Sequence, residues 1–259
     1  MARNKPIARQ LVIDAGPIHD RGMAKSRGRT SGVGGDVRGP RVGAVAAVVL
    51  AGGSGRRMFP SSAAGGDKPL LRLGDRPLVA HVVERLRPQV FALAIAARGD
   101  AERFDGDPAL SAVPVVVDPA QASDGSGLGP LAGLLAGMAW ARRAAPYCPL
   151  LLSAPADVPF LPRDLAARLA AHMQAIETDV LMVRAGGRVH PAIALWNTEL
   201  LDDLRKAVLE EGVRKVEAFA ARHAHASLDW PRGGAEAFLN VNAPDDLARA
   251  EARLAPGPV

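Results

Sequence analysis

Short apolar segments that alternate with helix-like segments are the feature that most constrains the fold of this chain. Apolar runs begin at Val45 and recur at residues 90–96, 113–117, 149–154, 179–184 and 191–195. Helical periodicity occupies residues 79–86, 131–143, 162–175, 198–209, 213–221 and 244–254. Strands without a polar face are buried on both sides, as in a parallel sheet covered by helices. The alternation predicts an α/β fold with a doubly wound, mostly parallel sheet and helices on both faces.

The positive charge of the chain is concentrated at its start. Of the 32 Lys and Arg residues, nine lie in residues 1–42, which hold only three of the 27 acidic residues. The first 42 residues therefore carry a charge of +6, and the remainder is close to neutral. We predict a disordered basic extension at 1–42, one domain at 43–254 and a flexible tail at 255–259. This uneven charge argues against nucleic-acid binding as the main function.

Cysteine content and hydropathy restrict the compartment. A single cysteine, Cys148, excludes an intramolecular disulfide and every cysteine-cluster metal site. The longest apolar run has about ten residues, whereas a membrane-spanning helix needs roughly 20. We therefore expect a cytoplasmic protein that does not bind membranes.

Ligands of open parallel sheets bind beyond the carboxyl ends of the strands. After the first strand comes Gly52-Gly53-Ser54-Gly55-Arg56-Arg57, whose glycines would let the backbone approach a phosphate. The loop matches neither the P-loop nor the dinucleotide fingerprint. By itself, a tight turn with exposed arginines explains it equally well.

Two further segments carry charge near strand ends. Lys68 follows Gly65-Gly66-Asp67 and could neutralise a phosphate, although a solvated surface lysine is the more common fate of a single Lys. Asp157 follows the most apolar strand in a loop fixed by prolines, and a rigid carboxylate suits Mg²⁺ that is shared with substrate phosphates. Asp118 ends another strand in the same way.

Together these segments resemble the molybdenum cofactor guanylyltransferases, the MobA-type branch of the nucleotidyltransferases. The resemblance rests on Leu50-Ala51-Gly52-Gly53, Arg57-Met58, Asp67-Lys68, Gly129-Pro130-Leu131-Ala132-Gly133 and Asp157-Val158-Pro159. It continues through Val189-His190-Pro191 to Phe238-Leu239-Asn240-Val241-Asn242 and covers about 45–254.

The resemblance implies a Rossmann-like nucleotidyltransferase fold and transfer of GMP from MgGTP to molybdenum–molybdopterin, with release of pyrophosphate. It assigns guanine and ribose contacts to Leu50, Ala51, Gly52 and Gly53, the triphosphate to Arg57 and Lys68, and the nucleoside side to Asp118. Asp157 would hold Mg²⁺, and Asn240 and Asn242 would lie near the pterin phosphate and the metal. The resemblance is also compatible with transient contact between this protein and molybdoenzyme maturation proteins.

Histidine 190 is weighed separately because it is the obvious general-base candidate. A phosphate nucleophile is already ionised, so it needs no base. We therefore expect His190 to have a structural role or to contact the acceptor, rather than to transfer a proton.

Two departures from the family pattern concern the nucleotide. Residues 59–64 are inserted in the triphosphate loop, ahead of Asp67-Lys68. Ala97-Arg98 stands where the family carries Asn-Arg, so one nucleotide contact is missing, and the sequence leaves open whether Arg98 replaces it.

Three alternatives remain open at this point. A cytidylyltransferase of the same cofactor pathway is the nearest, although such relatives usually open Leu-Ala-Ala-Gly. Another nucleotidyltransferase with a phosphorylated acceptor is the second. The third is a non-catalytic GTP-binding partner in molybdoenzyme maturation, which Ala97 and the insertion favour and Arg57, Lys68 and Asp157 oppose.

Overall fold

A computed structural model of the chain describes residues 44–53, 58, 67–117, 129–231 and 234–254. The predicted extension at 1–42, the tail at 255–259 and the insertion at 59–64 lie outside these residues. Within the described part, no helix is both long enough and apolar enough to cross a membrane.

The centre of the fold is a sheet of seven strands among the described residues. The strands are β1 (Val45–Leu50), β4 (Ala92–Ala97), β5 (Val115–Val117), β6 (Leu150–Pro155), β7 (Val180–Ala185), β8 (Arg188–Asn197) and β9 (His225–Asp229). Their order is β5-β4-β1-β6-β8-β7-β9, and only β8 runs antiparallel to its neighbours. A separate hairpin pairs β2 (Arg72–Leu73) with β3 (Arg76–Pro77). The predicted mostly parallel sheet is confirmed.

Helices cover both faces of the sheet, as predicted. They are α1 (Leu78–Leu86), α2 (Pro130–Ala144), α3 (Leu165–Ile176), α4 (Leu201–Leu209), α5 (Val216–Ala220) and α6 (Pro244–Leu254). Alternate residues of β1 enter two separate cores, with Val49 beneath α1 and α3 and Val48 beneath α2, α4 and α5. The absence of a polar face on β1 is explained by this burial on both sides.

Helix α2 approaches the sheet unusually closely at Gly137. A Cβ atom added to Gly137 would lie 2.6 Å from the Cβ and Cγ2 of Val48. Real Cβ atoms do not approach other atoms so closely, so only glycine fits here without a shift. Because the same helix begins beside the carboxyl ends of the strands, this contact sets the position of its first turn.

Helix α3 begins later than the sequence predicts. Periodicity and Pro162 indicate a start at residue 162, but the helix starts at Leu165. Gln89, in a turn after α1, accepts a hydrogen bond from the Ala166 amide at 3.0 Å and donates one to the Pro162 carbonyl at 2.8 Å. A distant side chain thus satisfies a free amide in the first turn.

Candidate functional site

An open cleft lies at the carboxyl ends of β1, β4 and β6. Among the described residues, its lining comes from the segments that follow each strand, the start of α2 and one residue of β8: Leu50, Gly52, Gly53, Lys68, Pro69, Arg98, Gly129, Pro130, Gly133, Pro155, Ala156, Asp157 and Ala192. The predicted residues Leu50, Gly52, Gly53, Lys68 and Asp157 therefore meet at one cleft. This is where open α/β sheets bind their ligands.

Neighbouring strands hold the backbone of the loop after β1. The Ala51 amide donates to the Ala96 carbonyl at 2.7 Å, and the Ala156 amide donates to the Leu50 carbonyl at 3.0 Å. Ala51 itself is buried at 2% exposure, so its side chain belongs to the core. The loop is therefore a fixed edge of the cleft, presented by its backbone.

Gly53 has no close neighbour among the described residues. A Cβ added there would meet none of their atoms within 4 Å, so the described part of the fold does not require glycine at this position. The free volume beside Gly53 lies on the cleft, since Gly53 is one of its lining residues. A ligand can thus approach the backbone closely here.

Lys68 is the charged centre of the cleft. It begins a 3-10 turn, Lys68–Leu70, and is only 8% exposed. Its Nζ pairs with Oδ2 of Asp157 and donates to Oδ1 of Asn242 at 2.6 Å. The interpretation of Lys68 as a solvated surface residue is therefore wrong. A buried ammonium needs such oxygens, because burying an unpaired charge is costly.

The backbone fixes the partners of Lys68. The Val241 amide donates to the Asp157 carbonyl at 2.9 Å, which joins the C-terminal segment to the end of β6. Asp246 accepts hydrogen bonds from the amides of Asn242 and Ala243 at 3.0 Å each. An acidic residue in the first turn of α6 thus caps the helix and holds Asn242. Sequence analysis missed Asp246, although Pro244 followed by acidic residues is a signal of such a helix start.

Two buried oxygens at this junction have no partner among the described residues. They are Oδ1 of Asp157 and Oδ1 of Asn240. Such orphaned acceptors are uncommon and call for an explanation. In the described part of the chain, no group of three or more His, Cys, Asp or Glu side chains could hold a metal by itself. Mg²⁺ commonly takes one or two carboxylates and completes its shell with water and phosphate oxygens, so these residues fit it.

Arg103 is a second residue that sequence analysis missed. From a turn at Glu102–Phe104 its Nη1 donates to Oδ2 of Asp67 at 2.9 Å, and its guanidinium lies 4.7 Å from the centre of the Phe104 ring. Asp67 immediately precedes Lys68, so this ion pair fixes the entry to the lysine turn. No local sequence pattern indicates this pairing.

His190 lies outside the lining of the cleft described above. Its ring is half-buried on β8, with its centroid 5.6 Å from that of Phe238. Burial lowers the pKa of His190, the positive charge of Arg188 lowers it further, and a hydrogen bond with the Ala185 backbone opposes the shift. The imidazole is therefore neutral near pH 7.

The register of β8 is irregular beside His190. His190 is opposite Val183, whereas Ala194 is opposite the adjacent residue Met182, so residues 191–193 bulge out of the pairing with β7. The carbonyl of Ala192, within this bulge, accepts a hydrogen bond from the Ser153 hydroxyl at 3.0 Å. The bulge places Ala192 on the cleft.

Two further residues that the sequence predicts for the site, Arg57 and Asp118, lie outside the described residues.

Comparisons with known proteins fit this arrangement. The family model of the MobA-like NTP transferase domain matches residues 47–226. A molybdenum cofactor guanylyltransferase of Rhodopseudomonas palustris (strain BisB5) is 44% identical over 208 residues, which are 80% of this chain and 93% of that protein.

Solved structures share the fold. Molybdopterin-guanine dinucleotide biosynthesis protein A from Archaeoglobus fulgidus has a TM-score of 0.61 and 25% identity, covering 81% of this chain and 97% of its own. The complex of Rv0371C from Mycobacterium tuberculosis H37Rv with manganese has a TM-score of 0.56 and 19% identity, covering 81% of this chain and 98% of its own. The likenesses confirm the predicted Rossmann-like fold.

Proposed function

The chain belongs to the MobA-like NTP transferase family, and on this premise we propose that it is a molybdenum cofactor guanylyltransferase. It transfers GMP from GTP to molybdenum–molybdopterin. The observation that carries the proposal is the Lys68–Asp157–Asn242 cluster, of which Lys68 and Asp157 line the glycine-edged cleft. Paired charges beside an accessible backbone suit a nucleoside triphosphate.

The reaction is an in-line displacement at the α-phosphorus of GTP. A phosphate oxygen of molybdenum–molybdopterin forms the new bond to this phosphorus. The bond to the bridging oxygen of the β-phosphate breaks, and its electron pair leaves with pyrophosphate. Because little covalent chemistry falls to the protein, positioning and charge neutralisation supply most of the rate.

The backbone at Leu50–Gly53 binds guanine and ribose in this proposal. Fixed amides and carbonyls distinguish bases by their hydrogen-bonding edges, and the open space beside Gly53 admits the ligand. Asp118 contributes on the nucleoside side, and Arg57 contributes with Lys68 to triphosphate binding. Lys68 is held within reach of the cleft by its two oxygen partners.

Asn240, Asn242 and His190 form the acceptor side. The hydrogen bond between Asn242 and Lys68 supports a position of Asn242 between the two substrates. A phosphate nucleophile carries its own negative charge, so no residue has to remove a proton from it. His190, neutral because its pKa is lowered, is therefore proposed to contact or support the acceptor.

Mg²⁺ is the proposed metal, held by Asp157 through its unpartnered Oδ1. When bound, the metal neutralises phosphate charge that builds up as pyrophosphate leaves. The residues of the chain orient the two phosphates. The proposed compartment is the cytoplasm.

A nucleotide panel tests this function. The unmodified protein is incubated with Mg²⁺, molybdenum–molybdopterin and either GTP, ATP or CTP, and pyrophosphate release is measured. We expect kcat/KM for GTP to exceed the others by at least about tenfold, or about 1.4 kcal/mol. Equal or better use of CTP would indicate a cytidylyltransferase. Nucleotide binding without pyrophosphate release would indicate a non-catalytic binding partner.

A further inference from the structure

Arg98 holds one carbonyl of the nucleotide loop. It follows β4 directly, and its Nη2 donates to the Gly52 carbonyl at 2.6 Å. Arg98 is exposed and lines the cleft together with Gly52 and Gly53. The side chain thus connects the end of β4 to the loop that follows β1.

This contact changes what the loop offers to a base. The Leu50 carbonyl already accepts from the Ala156 amide, and the Gly52 carbonyl accepts from Arg98. A guanidinium has five N–H donors and no acceptor. The loop edge at Gly52 therefore presents a carbonyl that is already engaged, together with the remaining N–H donors of Arg98.

We infer that Arg98 is a specificity-determining residue that selects a base carrying an oxygen at position 6. Guanine presents O6 and N7 as acceptors, whereas adenine and cytosine present an exocyclic amino group that donates. An amino group placed against Arg98 would find donors instead of the Gly52 carbonyl. The inference rests on the proposed function, because it assumes that the base lies at this loop.

A general electrostatic role is the competing interpretation. An arginine on the cleft would also attract any triphosphate through its charge, whichever base is attached. That role affects all nucleotides equally. Discrimination between bases therefore separates the two, and inosine and adenosine triphosphates are suitable probes because they differ only at position 6 and in the N1 proton.

The test measures dissociation constants for GTP, ITP and ATP with the full chain in Mg²⁺, without acceptor. The unmodified protein is expected to bind ITP at least about tenfold more tightly than ATP, since an unpaired polar group is costly. Arg98→Ala should reduce this ratio at least about fivefold. Arg98→Lys, which keeps a donor, should recover part of it.

Arg87→Ala is the matched control. Arg87 is also exposed and donates to a backbone carbonyl, that of Ala109 at 3.1 Å, but it is not part of the cleft lining. For Arg87→Ala, the ratio of the dissociation constants for ATP and ITP should equal that of the unmodified protein. If Arg98→Ala weakens all three nucleotides equally, or leaves the ratio unchanged, the inference is overturned. If the unmodified protein shows no preference for GTP over ATP, the proposed function fails first.

Discussion

On the proposed nucleotide side of the cleft (Leu50–Gly53, Lys68 and Arg98), the ends of strands and the segments after them present backbone groups and charges. On the proposed acceptor side (His190, Asn240 and Phe238), the half-buried, neutral imidazole of His190 packs against the ring of Phe238. The centroid of the Phe238 ring lies 5.2 Å from that of Trp230. The first side suits a flexible polyanion, which is bound through charge and backbone donors. The second side has no charged side chain among these three residues, and Phe238 is a core residue that is only 2% exposed.

Asp157 and Asn242 join the two sides through Lys68. Changes at this junction should therefore affect both substrates, whereas changes within one side should affect only that side. The variants below test this division, beginning with the largest expected effect.

Asp157→Asn should reduce turnover at least about a hundredfold, because it removes the carboxylate proposed to hold Mg²⁺. The variant should also melt at a lower temperature, because the buried Lys68 ammonium loses its carboxylate partner, so turnover is compared below that temperature. Steady-state pyrophosphate release at saturating Mg²⁺ and GTP measures the effect. Asp164→Asn, at an exposed carboxylate near the start of α3, is the control. Turnover close to that of the unmodified protein would exclude Asp157 as the metal ligand.

Lys68→Met should weaken GTP binding about tenfold, since hydrogen bonds to charged groups contribute about 1.5–3 kcal/mol. The same change should strengthen binding of Mn²⁺ in the absence of nucleotide, because Lys68 no longer neutralises Asp157. Electron paramagnetic resonance titration of free Mn²⁺ measures the second effect.

The control for this charge exchange is Lys206→Met, at an exposed lysine whose Nζ lies 4.0 Å from Glu211. It should alter neither affinity. If Mn²⁺ binds Lys68→Met no better than the unmodified protein, the lysine and the metal do not compete for the carboxylate.

Gly137→Ala should destabilise the nucleotide side through packing alone. The added Cβ meets Val48 at 2.6 Å, and overpacking of this kind costs about 1–3 kcal/mol. The melting temperature should fall by several degrees, since 1 kcal/mol corresponds to roughly 2–4 °C in a domain of this size. Gly106→Ala, where a Cβ meets nothing within 4 Å, should leave it unchanged. Equal melting temperatures for the two variants would contradict the close approach of α2.

His190→Phe should produce the smallest effect on stability, and it appears as a change in the pH dependence of unfolding, which is measured separately from acceptor binding. The lowered pKa of His190 means that the unfolded chain takes up a proton first as pH falls below about 6.5. Stability is therefore lost between that pH and the lower folded-state pKa, and the phenylalanine variant lacks this loss. Urea unfolding at pH 7.5 and 5.5 measures the difference, and identical pH dependence in both proteins would refute it.

The predictable part of the structure is the part that depends on uniform burial. β1 is wholly apolar, and β6 has Ser153 as its one polar residue, because helices cover both strands on both faces. This pattern is visible in the sequence. The edge strand β9 has a mixed sequence, His225–Asp229, and hairpin strands of two residues are too short to show periodicity. Neither appears in the sequence prediction.

The site shows the same division. Residues directly after strands could be placed at one edge because topology fixes that edge. The partners of those residues could not be predicted from the sequence, because they come from distant segments of the chain. Three long-range contacts have no signal in the local sequence. Gln89 caps α3, Arg103 pairs with Asp67, and Arg98 donates to the Gly52 carbonyl.

The contact between Lys68 and Asn242 also has a consequence for synthesis of the chain. Its two residues are 174 positions apart. The strands β1, β4 and β6 are all complete by Pro155, so they can pair before residue 242 has been synthesised. Lys68 then lacks one of its two oxygens until residue 242 joins the fold, because contacts of such long range form late. A nascent chain can therefore acquire these three strands well before its complete junction.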